Sequence, residues 1–540
     1  MALFTQYLSG LPLWLLAIST IPVLLVAVVV YNLFFHPLAH VPGPLLGRAT
    51  GITNWYHAIS GKRHIWLWQQ FEMHGSTIRP EPNTVLFRDP AAYAAIYSMK
   101  ANVRRSKFYT AFRRNDQDNN VLLTVDVAEH AVRRKLLNLA FSEKSNSAAM
   151  QFVVRHVDRW HEIMLDQHDS TTDWSAPVNL ATPLRSLQFD IMGDFSFGKS
   201  FNSMEPGNSP LKANPNNMSA YMRYYYPICR SPLLDILVWL KPRGLDALFN
   251  RLAPAEAKTH NDFVHNTVSE RLALQKEQAS KPESEQRHDI IHFLCEAKNP
   301  DTGLPAFGEQ DIRSETNLLI IAGTDTTSVS MQGIFFYLSG DPFRSQKLAH
   351  EVRSTFASVE EIVHGPKLLS CVYLKACIDE GMRLTPPGPC ETPREVLPGG
   401  LMVNGQFYPE GTVVGTVPWC NSRDNDVFGD AGVFRPERWI VNEEAGVTKE
   451  LVQKQKAGFN PFLSGPGNCA GKNLALSELM IVVARTMYRF EIRRAPGSTI
   501  GLGNHSLGWG ARDKTQLQLV DVFTSLAEGP VVQYRTRGPK

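Results

Sequence analysis

The stretch Phe462-Leu-Ser-Gly465-Pro-Gly467-Asn-Cys469-Ala-Gly471 decides how this chain is read, because it sets a cysteine among glycines immediately before a long apolar helical pattern. A cysteine is a metal ligand only as its thiolate, and the unpaired N–H groups and positive dipole end of a helix favour that anion. Lys472-Asn-Leu-Ala-Leu-Ser-Glu-Leu-Met-Ile-Val-Val-Ala-Arg485 supplies the helix. Gly465 and Gly467 allow a sharp backbone path that carries the sulfur to a flat cofactor, and Gly471 lets the first helical turn lie close beneath it. Phe462 is apolar and placed to shield the sulfur from water. The competing reading is a buried structural thiol, the commoner state of a lone cysteine.

The spacing Phe-x-x-Gly-x-x-x-Cys-x-Gly resembles the cysteine-ligand loop of the cytochrome P-450 family. The resemblance implies a mainly α fold with a smaller β portion, with Cys469 as axial thiolate of a haem iron. A second segment points the same way. Residues 314–338 read as a long helix, ended by Ser339-Gly-Asp-Pro342. Its middle carries Gly323, three threonines and Asp325, poor helix formers that together cost about 2 kcal/mol relative to Ala. A carboxylate in an apolar setting is also expensive unless partnered. Such local inconsistency is found where function overrides foldability, although a buried helix whose hydroxyls bond back to the preceding turn would look the same. Ala322-Gly-Thr-Asp325-Thr326-Thr327 resembles the family's distal-helix motif, in which an acid and an alcohol neighbour dioxygen. That implies small residues at 322 and 323 bringing the helix to the open face of the haem, with Asp325 and Thr326 delivering protons. The thiolate would push electron density from the opposite side.

Four further segments carry the resemblance. Glu380 and Arg383 share a helix face in a pattern beginning near Leu374, and Phe434-Arg-Pro-Glu-Arg438-Trp439 resembles the family's Pro-Glu-Arg segment. Together they imply a buried ion-pair triad of Glu380, Arg383 and Arg438 that supports the haem loop. Arg394, ahead of a hairpin expected at Asn404-Gly405, matches a position that binds a haem propionate in relatives. His130-Ala-Val-Arg-Arg134 resembles the Trp-x-x-x-Arg propionate motif with His in place of Trp, implying the same role for His130 and Arg134; a solvated basic face is the other reading. One departure matters. Relatives carry Arg or His two residues before the cysteine, where this chain has Gly467. A donor is missing, so Gly467→Arg is expected to be tolerated and to tighten haem retention.

The rest of the sequence bounds the setting. Its 540 residues contain no Pro/Gly/Ser-rich linker, repeat or low-complexity tract, which favours one large catalytic domain over the several that length alone suggests. A net charge of +3 and 43% hydrophobic residues exclude a nucleic-acid partner and an extended disordered chain. Seven scattered cysteines fit a reducing compartment, not a disulfide framework. No charged side chain precedes Arg48, and 11–35 is a predominantly apolar run, long enough for about 30 Å of hydrocarbon. Residues 1–35 are therefore expected to form an uncleaved single-pass anchor kinked at Pro22, followed by a proline-rich hinge over 36–50 and a catalytic domain over 51–540. The hinge and loop look most like fungal members of secondary metabolism, which places the catalytic domain on the cytosolic side of the endoplasmic reticulum.

No Gly-x-Gly-x-x-Gly fingerprint or flavin module is present, so electrons from NADPH require a separate NADPH-cytochrome P-450 reductase, with cytochrome b5 as a second donor. Arg133, Lys135, Lys456 and Lys472 are candidates to steer an acidic partner. Segments 104–121 and 221–240, Leu319, Ile320, Cys390 and 502–509 are the expected walls of an apolar substrate pocket, with 221–240 either a lid at the lipid surface or an ordinary core helix. Residues 276–289 read as a solvated loop. The implied activity is monooxygenation of an apolar small molecule such as a terpenoid, polyketide or alkaloid. Two readings stand beside it: a reductase-independent haem-thiolate isomerase or dehydratase, and a membrane-anchored haem sensor.

Overall fold

The computed structural model describes residues 13–537 apart from 116, 170, 283, 284, 300 and 301. The helix Glu309–Gly340 runs through the core and is longer at both ends than the apolar pattern that announces it. Its first turn is polar, with Glu309 and Asp311 complementing the helix dipole and Asp311 accepting from the Gly308 N–H at 3.1 Å. Beyond it the helix is buried on nearly all sides, including Ile320, Val329, Met331, Ile334 and Phe336. Its neighbours are the helices Ala181–Phe197, Ala255–Gln278, Val372–Leu384 and Lys472–Arg489.

Beside this helical body lies a sheet with the strands Thr77–Glu81, Thr84–Phe87, Val413–Thr416, Arg394–Val396 and Val103–Arg105 in that spatial order. Thr84–Phe87 pairs parallel with Val413–Thr416, and the other pairs are antiparallel. The last pairing sets Arg105 directly opposite Arg394. The hairpin Leu401–Val403 to Gln406–Tyr408 turns at Asn404 and Gly405, both left-handed with φ of 51° and 77°. Strands Val178–Asn179, Val531–Thr536 and Phe490–Arg494 form a second sheet.

At the front, Leu13–Val30 is a helix that contains Pro22 and continues into a π-helical turn, Tyr31–Phe35. Residues 1–12 of the expected anchor lie outside the described residues. Among the described residues no helix is long and apolar enough to cross a membrane, so the expected span is not shown. The proline-rich segment that follows is docked on the large sheet. Leu38 and Val41 are buried against Val85 and Phe87, and the Arg79 N–H donates to the Pro42 carbonyl at 2.7 Å.

Of residues 276–289, expected as a solvated loop, 279–282 and 285 are exposed, and the two ends of the segment depart from that expectation. Its first three residues belong to the helix Ala255–Gln278, and Asp289 is fully buried. Its carboxylate accepts from Arg271 at 2.7 and 3.1 Å and from the His292 N–H at 2.9 Å, capping Ile290–Glu296. A buried charge is tolerated when every oxygen is engaged in this way.

Candidate active site

The cysteine loop is shaped by Gly465, which is left-handed with φ of 65° and whose Cβ, were there one, would run into the Tyr97 carbonyl. Only glycine meets both demands. A single 3-10 turn, Gly465–Gly467, follows, and the Cys469 N–H then donates to the Phe462 carbonyl at 2.8 Å, closing the loop three residues before the helix Lys472–Arg489. A Cβ at Gly471 would meet only the Phe141 ring, at 4.0 Å, so that side of the first helical turn is open among the described residues.

The Cys469 side chain is exposed, yet the surrounding walls withdraw enough water for burial to be the largest influence on its thiol. Burial pushes the thiol above its ordinary value, and the Gly471 N–H, Arg134 and Lys472 pull it back without reversing the shift. The N–H at the helix start thus acts in the expected direction, and burial outweighs it. The thiolate needs a cation on the sulfur.

Four cationic or ring-nitrogen side chains gather beside the loop. Arg105 and Arg394 are cross-strand neighbours, an arrangement of like charges that destabilises a sheet. His130 and Arg134 come from the helix Val127–Ala140. Arg394 donates to Thr392 O and Pro393 O at 3.1 and 3.3 Å and Arg105 to Val121 O at 2.8 Å, while Arg134 holds Asn468 through its carbonyl and its side-chain oxygen, both at 2.8 Å. Among the described residues no carboxylate is hydrogen-bonded to any of these three guanidinium groups, and the buried His130 Nε2 has no partner. Burial followed by Arg394 pushes Arg105 down to about 10; burial followed by Arg105, Arg134 and Arg394 pushes His130 down to about 3. Arg105, Arg394, His130 and Gly467 line a cavity of about 230 Å³. Nothing in the sequence around Arg105 marks it, because its place is set by pairing with a strand nearly 300 residues away.

Gly467 is not a gap in this cluster. A Cβ there would lie 2.6 Å from Arg394 Nη2 and 3.9 Å from Arg105 Nη2, so guanidinium groups from the sheet already fill the space. Arg133, expected as a steering charge, is also engaged elsewhere. It pairs with Asp311 at 3.0 Å and Glu315 at 3.5 Å on the long helix, and its side chain is only 14% exposed.

Asp325 and Thr326 stand on that helix, tied to the cation cluster through Val121, whose N–H donates to Glu315 at 2.9 Å. The Thr326 hydroxyl donates to the Ala322 carbonyl at 2.5 Å, which leaves its oxygen free to accept. Asp325 is buried with one oxygen unpartnered and the other receiving only a long bond from Thr524, at 3.4 Å. Burial, partly offset by Arg185 and Thr524, pushes it up to about 6. The two small residues beside them have different purposes. Ala322 lines a cavity with Leu318, Ile321, Phe112, Tyr221 and Phe523. Gly323 instead faces Met192 of the helix Ala181–Phe197, and a Cβ there would lie 2.5 Å from the Met192 sulfur. Gly323 thus sets a close helix crossing, not the approach expected. Of the other expected wall residues, Leu319 and Ile320 belong to the main core and Cys390 donates to Asp521 at 3.1 Å.

Glu380 is fully buried and receives five hydrogen bonds. Oε1 accepts from Arg383 Nη2 at 2.8 Å, Arg438 Nε at 3.0 Å and the Arg435 N–H at 2.8 Å; Oε2 accepts from Arg383 Nε at 2.9 Å and Trp439 Nε1 at 3.0 Å. Burial would raise its carboxyl, but Arg383 and Arg438 outweigh it and hold the group below its ordinary value. The two arginines donate in turn to the carbonyls of Ser422, Ala431 and Phe428. The network clamps residues 422–439 onto the helix Val372–Leu384. A larger cavity, of about 630 Å³, lies between the helix Pro342–Thr355 and the strand Phe490–Arg494 and contains none of these residues.

Comparison with known proteins agrees with this arrangement. The family model described as Cytochrome P450 matches residues 40–513. The chain is 32% identical over 534 residues to the cytochrome P450 monooxygenase fscF of Fusarium equiseti, covering 97% of each chain. It is 31% identical over 554 residues to the cytochrome P450 monooxygenase apf7 of Gibberella fujikuroi, covering 98% of this chain and 99% of the relative. To the cytochrome P450 monooxygenase poxM of Penicillium oxalicum it is 30% identical over 525 residues, covering 96% and 94%. With a thiol loop, a cation cluster and an acid-bearing helix held in one mainly helical body, and with monooxygenases similar to it along almost its whole length, the chain belongs to the cytochrome P450 family and is an oxidoreductase.

Proposed function

We propose that the protein is a haem-thiolate monooxygenase that receives NADPH electrons through a separate reductase, with cytochrome b5 as a second donor, and oxidises an apolar small molecule of fungal secondary metabolism. The observation that carries the reading is the cation cluster beside Cys469: three guanidinium groups and an unpaired His130 nitrogen, with no carboxylate of the described residues bonded to them. This donor set fits the two propionates of a haem. Haem held by Cys469 supplies the activation of dioxygen. The chain's own groups do the rest. Arg105, Arg394, Arg134 and His130 hold the propionates, and the Glu380 clamp keeps the segment ahead of the cysteine loop in place. Asp325 takes up and releases a proton near pH 6, and the Thr326 oxygen accepts one hydrogen bond while its own proton stays on the Ala322 carbonyl. Asp325 and Thr326 favour oxygen chemistry over the isomerase reading, since a peroxide rearrangement needs no proton delivery.

A location on the cytosolic face of the endoplasmic reticulum is part of this proposal. Its support is an apolar surface in which Leu233, Ile236, Trp239 and Leu252 are each more than half exposed, on the same molecule as an N-terminal helix with Leu24 and Leu25 exposed. Such faces suit a bilayer interface. The tyrosines of the same tract, Tyr221, Tyr225 and Tyr226, are buried and belong to the core.

Gly467→Arg tests the propionate assignment. A side chain there must displace the tip of Arg394 and so take a propionate donor out of its place. Haem is expected to pass to apomyoglobin at least about fivefold faster than from the wild type, and slower transfer would contradict the assignment. The activity itself is tested by reconstitution with the reductase under labelled dioxygen, feeding terpenoid, polyketide and alkaloid intermediates and analysing products by mass spectrometry. Substrate-dependent NADPH consumption with one labelled oxygen per product is expected. Turnover of a peroxide without NADPH would establish the isomerase reading instead.

A further inference from the structure

The cavity beside Ala322 is mostly apolar, and bookkeeping of its polar groups shows what it offers a ligand. Asp118 is the one carboxylate among its walls, and its oxygens are saturated. Oδ1 accepts from Ser314 at 2.7 Å and Arg114 Nη2 at 3.1 Å, and Oδ2 from Arg114 Nε at 2.8 Å and the Arg114 N–H at 3.1 Å. Asn120 is spent as well. Its oxygen takes the N–H groups of Leu122 and Leu123, both at 3.1 Å, and its nitrogen faces Ser314 at 3.2 Å. The cavity therefore presents neither a free negative charge nor a free Asn120 amide.

Asn317 differs. It is 5% exposed, lines the cavity from the long helix, and its Oδ1 contacts Nε2 of the fully buried His260 at 3.2 Å. Burial holds His260 neutral, pushing it down to about 4 against the Asn317 bond. A neutral imidazole carries one N–H, and an oxygen facing Nε2 places it there. With its oxygen on His260 Nε2, the Asn317 amide has its NH2 left over. Among the described residues nothing accepts from that NH2. Tyr221, whose ring centroid is 5.3 Å from that of His260, lines the same cavity, and its hydroxyl has no partner among the described residues. Asn317 and Tyr221 thus present donors to the cavity, while the Thr524 hydroxyl at its Ala322 end is turned to Asp325 at 3.4 Å.

We infer that Asn317 and Tyr221 form a hydrogen-bond-donating subsite that reads a carbonyl oxygen on an otherwise apolar substrate. The inference rests on the monooxygenase reading and narrows its substrate class to ketones, lactones, esters or amides. Asn317 is five residues before Ala322, about 8 Å along the helix axis. The recognised oxygen is thus remote from the Ala322 end of the cavity, and oxidation falls on carbon far from the carbonyl. His260 is a positioning residue behind Asn317.

The test uses two matched pairs of probes, nootkatone against valencene and camphor against bornane, in each of which the ketone differs from the hydrocarbon by the oxygen. Dissociation constants are measured on the haem-loaded protein by equilibrium dialysis. In at least one pair the wild type is expected to bind the ketone about fivefold to tenfold tighter than its hydrocarbon. Asn317→Leu should erase that preference while leaving hydrocarbon binding within about twofold, and Tyr221→Phe should reduce it. The reduced carbon-monoxide spectrum of each variant shows whether haem and fold are retained; should Asn317→Leu lose its haem, Tyr221→Phe decides. Lack of ketone preference in both pairs, or a preference that survives both variants, overturns the subsite. A wild type without a thiolate-type spectrum would overturn the monooxygenase reading instead, with the dialysis result still judging the subsite.

Discussion

Asp325→Asn is expected to slow substrate oxidation by about a hundredfold while making the protein more stable above neutral pH. Both effects have one cause. Asp325 is buried in the middle of the long helix with one carboxylate oxygen unpaired, and burial, only partly offset by Arg185 and Thr524, pushes its carboxyl from 3.8 up to about 6. Because the folded value exceeds the unfolded one, ionising the group opposes folding. The penalty is absent below about pH 4, grows between 3.8 and 6, and is complete above that, where it amounts to about 3 kcal/mol. Asparagine keeps the shape and abolishes the charge. Thermal unfolding compared at pH 5 and pH 8 should show the variant's advantage widening with pH, while turnover falls at both. Unchanged turnover would remove Asp325 from proton delivery. A stability advantage that does not grow with pH would mean that the carboxyl is already protonated at pH 8.

Glu380→Gln is expected to destabilise the protein by about 3–5 kcal/mol, because it leaves Arg383 and Arg438 buried without a counter-charge. The amide is nearly isosteric, but all five groups that contact the carboxylate are donors, and the new NH2 must face some of them. Glu380 titrates in the opposite sense to Asp325. Its folded value is depressed below 4.5, so its contribution is present above 4.5 and is lost as the pH falls through the folded value. Urea unfolding should show the full deficit of the variant at pH 7 and a shrinking one below pH 4.5. A deficit under about 1 kcal/mol at pH 7 would show that the clamp contributes little. Since the clamp fixes residues 422–439, haem loss should quicken with it.

What could be read from the chain alone was local. The cysteine loop, the long helix with Asp325 and Thr326, and the Glu380-Arg383 pair each depend on residues a few positions apart, where turn chemistry and helical spacing carry the information. The turn at Asn404-Gly405 is of the same kind. What could not be read depends on distant pairing. Arg105 acquires its place from the strand that holds Arg394, and that pairing also explains why Gly467 is small: the sheet delivers guanidinium groups to the position from the other side. Gly323 looked like room for a cofactor because its partner, Met192, lies 131 residues away. Asn317 and His260 announce nothing in sequence, being an ordinary asparagine and histidine on two helices until the fold sets them 3.2 Å apart.

The account stands on Cys469 as the thiolate that holds haem in the space lined by Arg105, Arg394 and His130. Its most direct test is the carbon-monoxide difference spectrum of the reduced, haem-loaded protein, recorded for the wild type and for Cys469→Ser. The wild type should show the strongly red-shifted Soret band of a thiolate-bound haem, and the variant should lose that band entirely. A wild-type band at the unshifted position of an imidazole-bound haem, or a red-shifted band that persists in Cys469→Ser, would contradict it.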